Sequence, residues 1–485
     1  MIQFLPEEDI MKTYYLTTTL PYVNSDPHLG FALEIVQADV LARYHTSIGD
    51  EVFFNTGTDE HGQKIYQKAV SENKTPQAYV DEYAVKFDAL KNSLNLSYNN
   101  FIRTTDPHHV EAAKEIWRRC MKNDDIYKTI YKVKYCVGCE LEKQDSELEN
   151  GICPIHPNMQ LEIREEENYF FKFSKYQKKL LELYKSTPDF VVPANRLNEI
   201  ENFVAGGLQD FSISRLKEKM PWGVPVPDDD KHVQFVWFDA LTNYISALGW
   251  PEDMERFEKF WGTNDKPLAI QVAGKDNLRQ QSAMWQAMLM SANLPTTRQI
   301  LIHGFITSGG AKMSKSLGNV INPLEYVDKY GTDPLRYYLL AKMSPFEDSD
   351  FTKEKFEDAY QADLANGLGN LVARVAAMAT DGTYPLSGTV TISDAVTKAL
   401  NEYKFDSAMA SIWEKIKKSD QFVSEKRVWE LKDKEREDAL TRLFFEIRQI
   451  AVDLAPFMPE TAEKIIKQYN SEKITKSEPL FPRLA

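Results

Sequence analysis

The run TYYLTTTL at 13–20 is β-branched and aromatic with no polar face, and it predicts a buried strand. PYVNSDP then breaks the pattern. Asp26 is a good helix N-cap and Pro27 suits the first helical position. Leu29, Leu33, Val36, Val40 and Tyr44 follow at steps of four, three, four and four, the apolar stripe of a helix. DEVFFNTGTDEHG at 50–62 is a second strand running into a glycine-containing loop. Strand, helix and strand in so short a span predict a βαβ unit, hence an α/β fold with a doubly wound, Rossmann-like parallel sheet. Ligands of such sheets bind beyond the carboxyl ends of the strands, where the loops around His28 and around Asp59 and His61 fall.

From about 118 to 230 the texture changes to a cysteine cluster among mixed charged segments. The α/β pattern returns in HVQFVWFDALTNYISAL, KPLAIQVAGKDN and RQILIHGFITSGG. A long insertion therefore splits the sheet. After about 350 the apolar positions recur at helical spacing in LANGLGNLVARVAAMA, FDSAMASIWEKIKKSDQFV and REDALTRLFFEIRQIAVDLAPFM, which predicts an α-helical bundle.

Composition narrows the function classes. At 485 residues, 43% of them hydrophobic, the chain is long enough for about three domains with sizeable cores. A net charge of −14 argues against nucleic-acid binding by overall charge but leaves room for a local basic face. No run approaches the ~20 apolar residues of a membrane span. MIQFLPEEDIMKTYYL has no secretory signal pattern; residues 1–10 are either a loose extension or precede the true start at Met11. Three of the four cysteines cluster, which is no disulfide framework and points to a reducing, cytoplasmic setting.

Two motifs carry chemistry. In SGGAKMSKSLGN, 308–319, two lysines and two hydroxyls sit on a glycine-flanked loop with nothing to bury. Such a loop suits a polyanion, and glycines let it move and approach a ligand closely. His28, in the first turn of a helix after a strand, sits where free N–H groups and the dipole favour anions. The competing reading is a solvated lysine loop. In CVGCELEKQDSELENGICPIH, Cys136-x2-Cys139 and Cys153-x2-His156 have the spacing of two metal knuckles closing a tetrahedral, structural zinc site. Two unrelated pairs, or a redox CxxC, are the alternatives. Cys120 stands apart on a helical segment as a buried thiol.

His28-Leu29-Gly30-Phe31 resembles the HIGH motif, and Lys312-Met313-Ser314-Lys315-Ser316 the KMSKS motif, of class I aminoacyl-tRNA synthetases. PYVNSDPHLG, TGTDEHG, YFFKFSKY, VWFDAL, GKDN and KYGTDPLRYYLL resemble the methionyl-tRNA synthetase family within that class, from about residue 12 onward. The resemblance implies a ligase that joins methionine to ATP as methionyl-adenylate, releases pyrophosphate, and passes methionine to the 3′-terminal adenosine of a tRNA(Met) with a CAU anticodon. It implies halves of the catalytic domain at 1–117 and 231–321, a connective insertion at 118–230 with its knuckle at 131–165, a stem-contact region at 322–350 and an anticodon-binding bundle at 351–485. His28, Lys312 and Lys315 would be catalytic. Gly30, Phe31, Gly274, Lys275, Asp276, His303 and Ser314, with His28 and Lys315, would hold ATP and its Mg2+. Leu20, Tyr22, Trp237, Ala240, Leu241, Tyr244, Asn277 and Gln281 would wall the methionine side chain, with Asp59 on its ammonium. Cys136, Cys139, Cys153 and His156 would bind one Zn2+, and Asn370, Arg374 and Trp429 would read the anticodon. No appended domain follows the bundle, so a monomer is expected.

The chain departs from the family in two places. Phe31 stands where HIGH has its second histidine, removing one phosphate donor. Gln280 and Gln281 stand where relatives commonly carry an aromatic–histidine pair, the histidine lying at the bottom of the methionine pocket. Two rival readings stay in view: a small-molecule nucleotidyltransferase of the same superfamily, against which the zinc insertion and the bundle speak, and a non-catalytic paralogue, against which KMSKS, Asp59 and Lys275-Asp276 speak.

Overall fold

The structure is a computed structural model that describes residues 12–139, 141–143, 147–313, 319–380, 382–385, 388–474 and 478–484. Among the described residues, strands β1 (Thr13–Thr18), β2 (Glu51–Thr58), β3 (Asn100–Arg103), β4 (Val191–Val192), β5 (Ile270–Gly274) and β6 (Gln299–His303) form one parallel sheet, ordered β3-β2-β1-β5-β6-β4. In β1, Leu16 lies between Phe54 of β2 and Ile270 of β5. The chain runs outward from β1 in both directions, so β1 and β5 flank the switch point where such sheets open a crevice.

Helix α1 (Leu29–Ser47) covers this point. It starts later than Asp26 and Pro27 suggest. His28 itself is the N-cap, its Nδ1 accepting the Gly30 N–H at 3.1 Å, while Asp26 pairs with Lys86 at 3.1 Å. The Leu29 N–H donates to the Ile321 carbonyl, so residues 20–27 cross the crevice before the helix begins. The expected stripe is buried, but so are Ala32, Ile35, Ala38, Leu41 and Ala42. The sheet lies under one side of α1 and the helix Thr332–Ala341 packs on another, so the helix is interior rather than amphipathic.

That arrangement buries charge. Arg336 is fully buried, with its guanidinium on Asp39 of α1 at 2.7 Å and on the Phe457, Pro456 and Leu94 carbonyls at 2.8, 3.1 and 3.1 Å. Burial alone raises the Asp39 carboxyl; Arg336, Arg43 and Ser97 more than offset this and hold it below its ordinary value. The apolar core on this face continues from α1 through Thr332–Ala341 into the helices Asn370–Met378, Phe405–Glu425, Asp433–Leu454 and Pro459–Tyr469. A second core, holding Trp117, Trp250, Trp261 and Trp285, fills the other face of the sheet.

The inserted segment is built on a long antiparallel hairpin, Ile126–Cys136 with Glu162–Phe171, paired from Ile126 opposite Phe171 to Tyr135 opposite Glu162. Its boundaries are less tidy than the sequence suggests. The helix Pro107–Lys122 runs through the expected division at 117, and β4, inside the insertion, pairs with β6 in the central sheet. A two-residue strand is too short to show a period, which is why it stayed invisible. Among the described residues, no helix is long and apolar enough to cross a membrane.

Candidate active site and metal knuckle

A cavity of about 470 Å³ opens beyond the carboxyl ends of β1 and β5. Its wall is set by loops that are pinned from behind. After β2, Glu60 is buried and takes a bidentate pair from Arg103 at 2.7 and 2.9 Å, with further bonds from Thr58 and Thr105. His61 is held by Asp239 at 2.9 Å, and the other oxygen of Asp239 meets His109 at 3.0 Å. Asp59, between these anchors and the loop after β1, bridges Tyr22 and lines the cavity. A fixed carboxylate at a strand end suits an ammonium group.

Of the residues singled out in the sequence, Leu20, Tyr22, His28, Gly30, Phe31, Asp59, Trp237, Ala240, Leu241, Tyr244, Gly274, Asp276, Asn277, Gln281 and His303 line this one cavity. Lys275 is turned to Asp348 at 2.7 Å and lies over the Phe305 ring. Phe31 packs edge-on against Phe87, so the position that lacks a histidine supplies an apolar wall. The His28 N-cap bond has a chemical consequence: with Nδ1 accepting, the proton of the neutral ring sits on Nε2.

The lysine loop reaches the same place. Ile306–Ser308 and Ala311–Lys312 form a hairpin whose turn residues, Gly309 and Gly310, have φ of +61° and +79°. Beyond the freedom expected of them, these glycines make a two-residue primed turn that few other residues adopt. A Cβ on Gly30 would lie 3.0 Å from the His28 ring and 3.9 Å from Met313 Cε, and Met313 lines the cavity with them. Ser314 and Lys315 lie outside the described residues, as does the Lys312 side chain.

Glu34 was not foreseen. It accepts from the Thr19 N–H and hydroxyl at 2.7 and 2.5 Å, and from His303 Nε2 at 3.0 Å, while His303 Nδ1 faces the Gly304 carbonyl at 2.8 Å. Both ring nitrogens thus meet acceptors. Burial works against the charged ring, but Glu34 more than offsets it and the His303 pKa lies above 6.5. A raised folded-state value means stability that is present below pH 6.5 and lost as pH rises through the folded pKa. We expect Glu34→Gln to destabilise the protein most below pH 6.5, with the deficit shrinking above the folded pKa; chemical denaturation across pH checks this. The sequence offers little signal for it, since Glu34, Gln37 and Asp39 are all polar positions of one helix and nothing local separates the buried ones from solvated ones.

The four ligand atoms of Cys136, Cys139, Cys153 and His156 lie within 4.8 Å of one another. Cys139 and Cys153 sulfurs are 3.5 Å apart, and His156 Nδ1 is 3.2 Å from Cys139 Sγ and 3.8 Å from Cys136 Sγ. Edges of this size, with no disulfide, fit a tetrahedron of bonds of about 2.3 Å to sulfur. Cys120 is buried, its thiol pushed up to about 12 by burial. The knuckle also meets the cavity, which the sequence did not foretell: Gly138 and Cys139 line it, and Lys64 donates to the Gly138 carbonyl at 2.7 Å. A Cβ on Gly138 would lie 2.4 Å from the His156 ring. Gly138→Ala is therefore expected to push His156 off the cluster and to lower the metal-to-protein ratio in elemental analysis.

Outside the lining of the cavity, Asn370 and Arg374 sit one turn apart on Asn370–Met378. Arg374 pairs with Asp420 at 2.7 Å, and its guanidinium is 5.7 Å from the Trp429 ring. Trp429 is 49% exposed, unlike a core tryptophan.

Comparison with known proteins covers nearly the whole chain. A family model described as tRNA synthetases class I (M) matches residues 14–160 and 139–376, and one described as the anticodon-binding domain of tRNA ligase matches 384–484. A methionine–tRNA ligase of Synechocystis sp. is 41% identical, covering 94% of this chain and 89% of that protein. One from Clostridium acetobutylicum is 38% identical, covering 98% and 78%. A solved structure of Mycobacterium tuberculosis methionyl-tRNA synthetase in complex with methionyl-adenylate superposes with a TM-score of 0.89 at 34% identity, over 98% of this chain and 100% of that one.

Proposed function

The chain belongs to the class I methionine–tRNA ligases, and from that premise we propose how its residues divide the work. The enzyme activates methionine with ATP to methionyl-adenylate and pyrophosphate, then transfers methionine to tRNA. One observation carries the assignment of roles: His28, Gly30, Met313, Asp59 and Tyr244 line a single cavity.

Asp59 holds the methionine ammonium, and Tyr22, Trp237, Leu241 and Tyr244, with Leu20, Ala240, Asn277 and Gln281, enclose the thioether side chain. A carboxylate oxygen of methionine attacks the α-phosphorus of ATP, and the bond to the β-phosphate oxygen breaks. His28 Nε2–H donates to a phosphoryl oxygen as charge spreads, and the α1 N-terminus adds its dipole. Lys312, Ser314 and Lys315 accompany the leaving pyrophosphate. Gly30, Phe31, Gly274, Lys275, Asp276 and His303 position the nucleotide. Mg2+, bound with the triphosphate, would neutralise part of its charge. In the second step a ribose hydroxyl of the tRNA 3′-terminal adenosine attacks the adenylate carbonyl, and AMP leaves.

The knuckle residues hold Zn2+, which closes the loop beside the cavity and takes no part in the reaction. Asn370, Arg374 and Trp429 read a CAU anticodon. Stacking of one base on Trp429 is worth ~1–3 kcal/mol. A cytoplasmic monomer completes the proposal. Pyrophosphate exchange with each of the twenty amino acids tests it: exchange with methionine supports the reading, and exchange with another amino acid in its place overturns it. Trp429→Ala is expected to keep exchange intact and to weaken tRNA charging by about tenfold or more.

A further inference from the structure

Behind Tyr244 lies a chain of uncharged polar side chains in an otherwise apolar core. Gln271, Gln281, Gln286 and Thr297 are all buried. Gln281 belongs to a π-helical turn, Gln280–Met284, a geometry frequent at functional sites. Burying three primary amides is costly unless every donor meets an acceptor, and here the bonds run in one direction.

The direction is set by a group that has no choice. The Thr297 backbone N–H donates to Gln286 Oε1 at 3.0 Å. Gln286 Nε2 must then be the other end of that amide, and it donates to Thr297 Oγ1 at 3.0 Å and to the Gln281 carbonyl at 2.8 Å. The Thr297 hydroxyl, already accepting, gives its own proton to Gln271 Oε1 at 2.6 Å. Gln271 Nε2 donates to Gln281 Oε1 at 3.2 Å, and Gln281 Nε2 donates to the Tyr244 hydroxyl oxygen at 2.6 Å. The Tyr244 backbone is fixed as well, its carbonyl accepting from Tyr15 Oη at 2.6 Å. Because Tyr244 Oη accepts from Gln281, its own proton has to leave in another direction, and Tyr244 borders the cavity.

We propose that Gln286, Thr297, Gln271 and Gln281 form a polarity relay that turns the Tyr244 O–H into a fixed donor toward the amino-acid side chain, so that a linear substrate with an acceptor atom in its chain is preferred over its hydrocarbon isostere. The inference rests on the reading of this cavity as the methionine pocket and adds to it residues that touch no substrate: Gln271, Gln286 and Thr297 are positioning residues. The donor is set by amides and a hydroxyl, none of which titrates.

The test is the ratio of kcat/KM for methionine to that for norleucine, in which a methylene replaces the sulfur, measured by pyrophosphate exchange. General damage to folding or turnover cancels in that ratio. Gln271→Glu keeps the shape and, once ionised, can only accept, so at alkaline pH the Gln281 amide reverses and Tyr244 donates to it instead of the cavity. Thr297→Val breaks the chain one step further back and carries the test if the glutamate variant fails to fold. Each is expected to lower the methionine-to-norleucine ratio by roughly three- to tenfold, the worth of one modest hydrogen bond. A ratio within twofold of the starting protein, in variants that still exchange pyrophosphate, overturns the relay alone. Absence of methionine-dependent exchange in the unaltered protein overturns the pocket assignment and the relay with it.

Discussion

His28→Ala is expected to slow methionyl-adenylate formation by about 10²–10³-fold, while methionine binding changes little. The ring has two separate jobs. Nδ1 caps α1 by accepting the Gly30 N–H, and Nε2 carries the proton proposed to meet the phosphate. Alanine removes both, so it should also cost about 1 kcal/mol of stability through the lost cap. His28→Asn separates them. Asparagine is a good N-cap, so stability should return, but its shorter side chain cannot place a donor where Nε2 lies. Rapid-quench measurement of adenylate formation, with methionine affinity from fluorescence titration, distinguishes the outcomes. Recovery of rate in the asparagine variant would mean that capping, not phosphate contact, is what the reaction needs from this position.

Arg336→Met should lower the unfolding free energy by about 3–5 kcal/mol. The buried guanidinium satisfies Asp39 and four backbone carbonyls drawn from the segments at 94–95 and 456–457, and methionine leaves all of them without that donor. Arg43 still faces Asp39 at 2.8 Å, which places the expected loss nearer the lower figure. Lys342→Met removes a more exposed pair with Asp363 and is expected to cost under about 1 kcal/mol. Urea denaturation of the two variants gives the comparison; equal losses would contradict the role given to Arg336.

The parts that sequence reading reached are those whose physics is local. The βαβ start, the helical tail and the Cys/His spacing each declare themselves within a few turns or one loop. The family motifs then linked His28 to the lysine loop, and the cavity lined by His28, Gly30 and Met313 brings those distant segments together. Contacts made only by tertiary packing stayed hidden. Nothing near Glu34 marks His303 as its partner, nor does Lys64 announce that it will hold the knuckle's Gly138. The cap at α1 was misplaced because Asp26-Pro27 is a sound local signal that the crossing of the crevice overrides. Trp429 reads equally well as core or surface until its exposure is known.

The apolar interior that runs unbroken from α1 into the C-terminal helices ties the two ends of the molecule into one melting unit. The decoding end is therefore no detachable cassette: exchanging it for that of a distant relative would mean recutting buried surfaces on both sides of the junction, and calorimetry should register a single cooperative event where a loosely tethered module would give two.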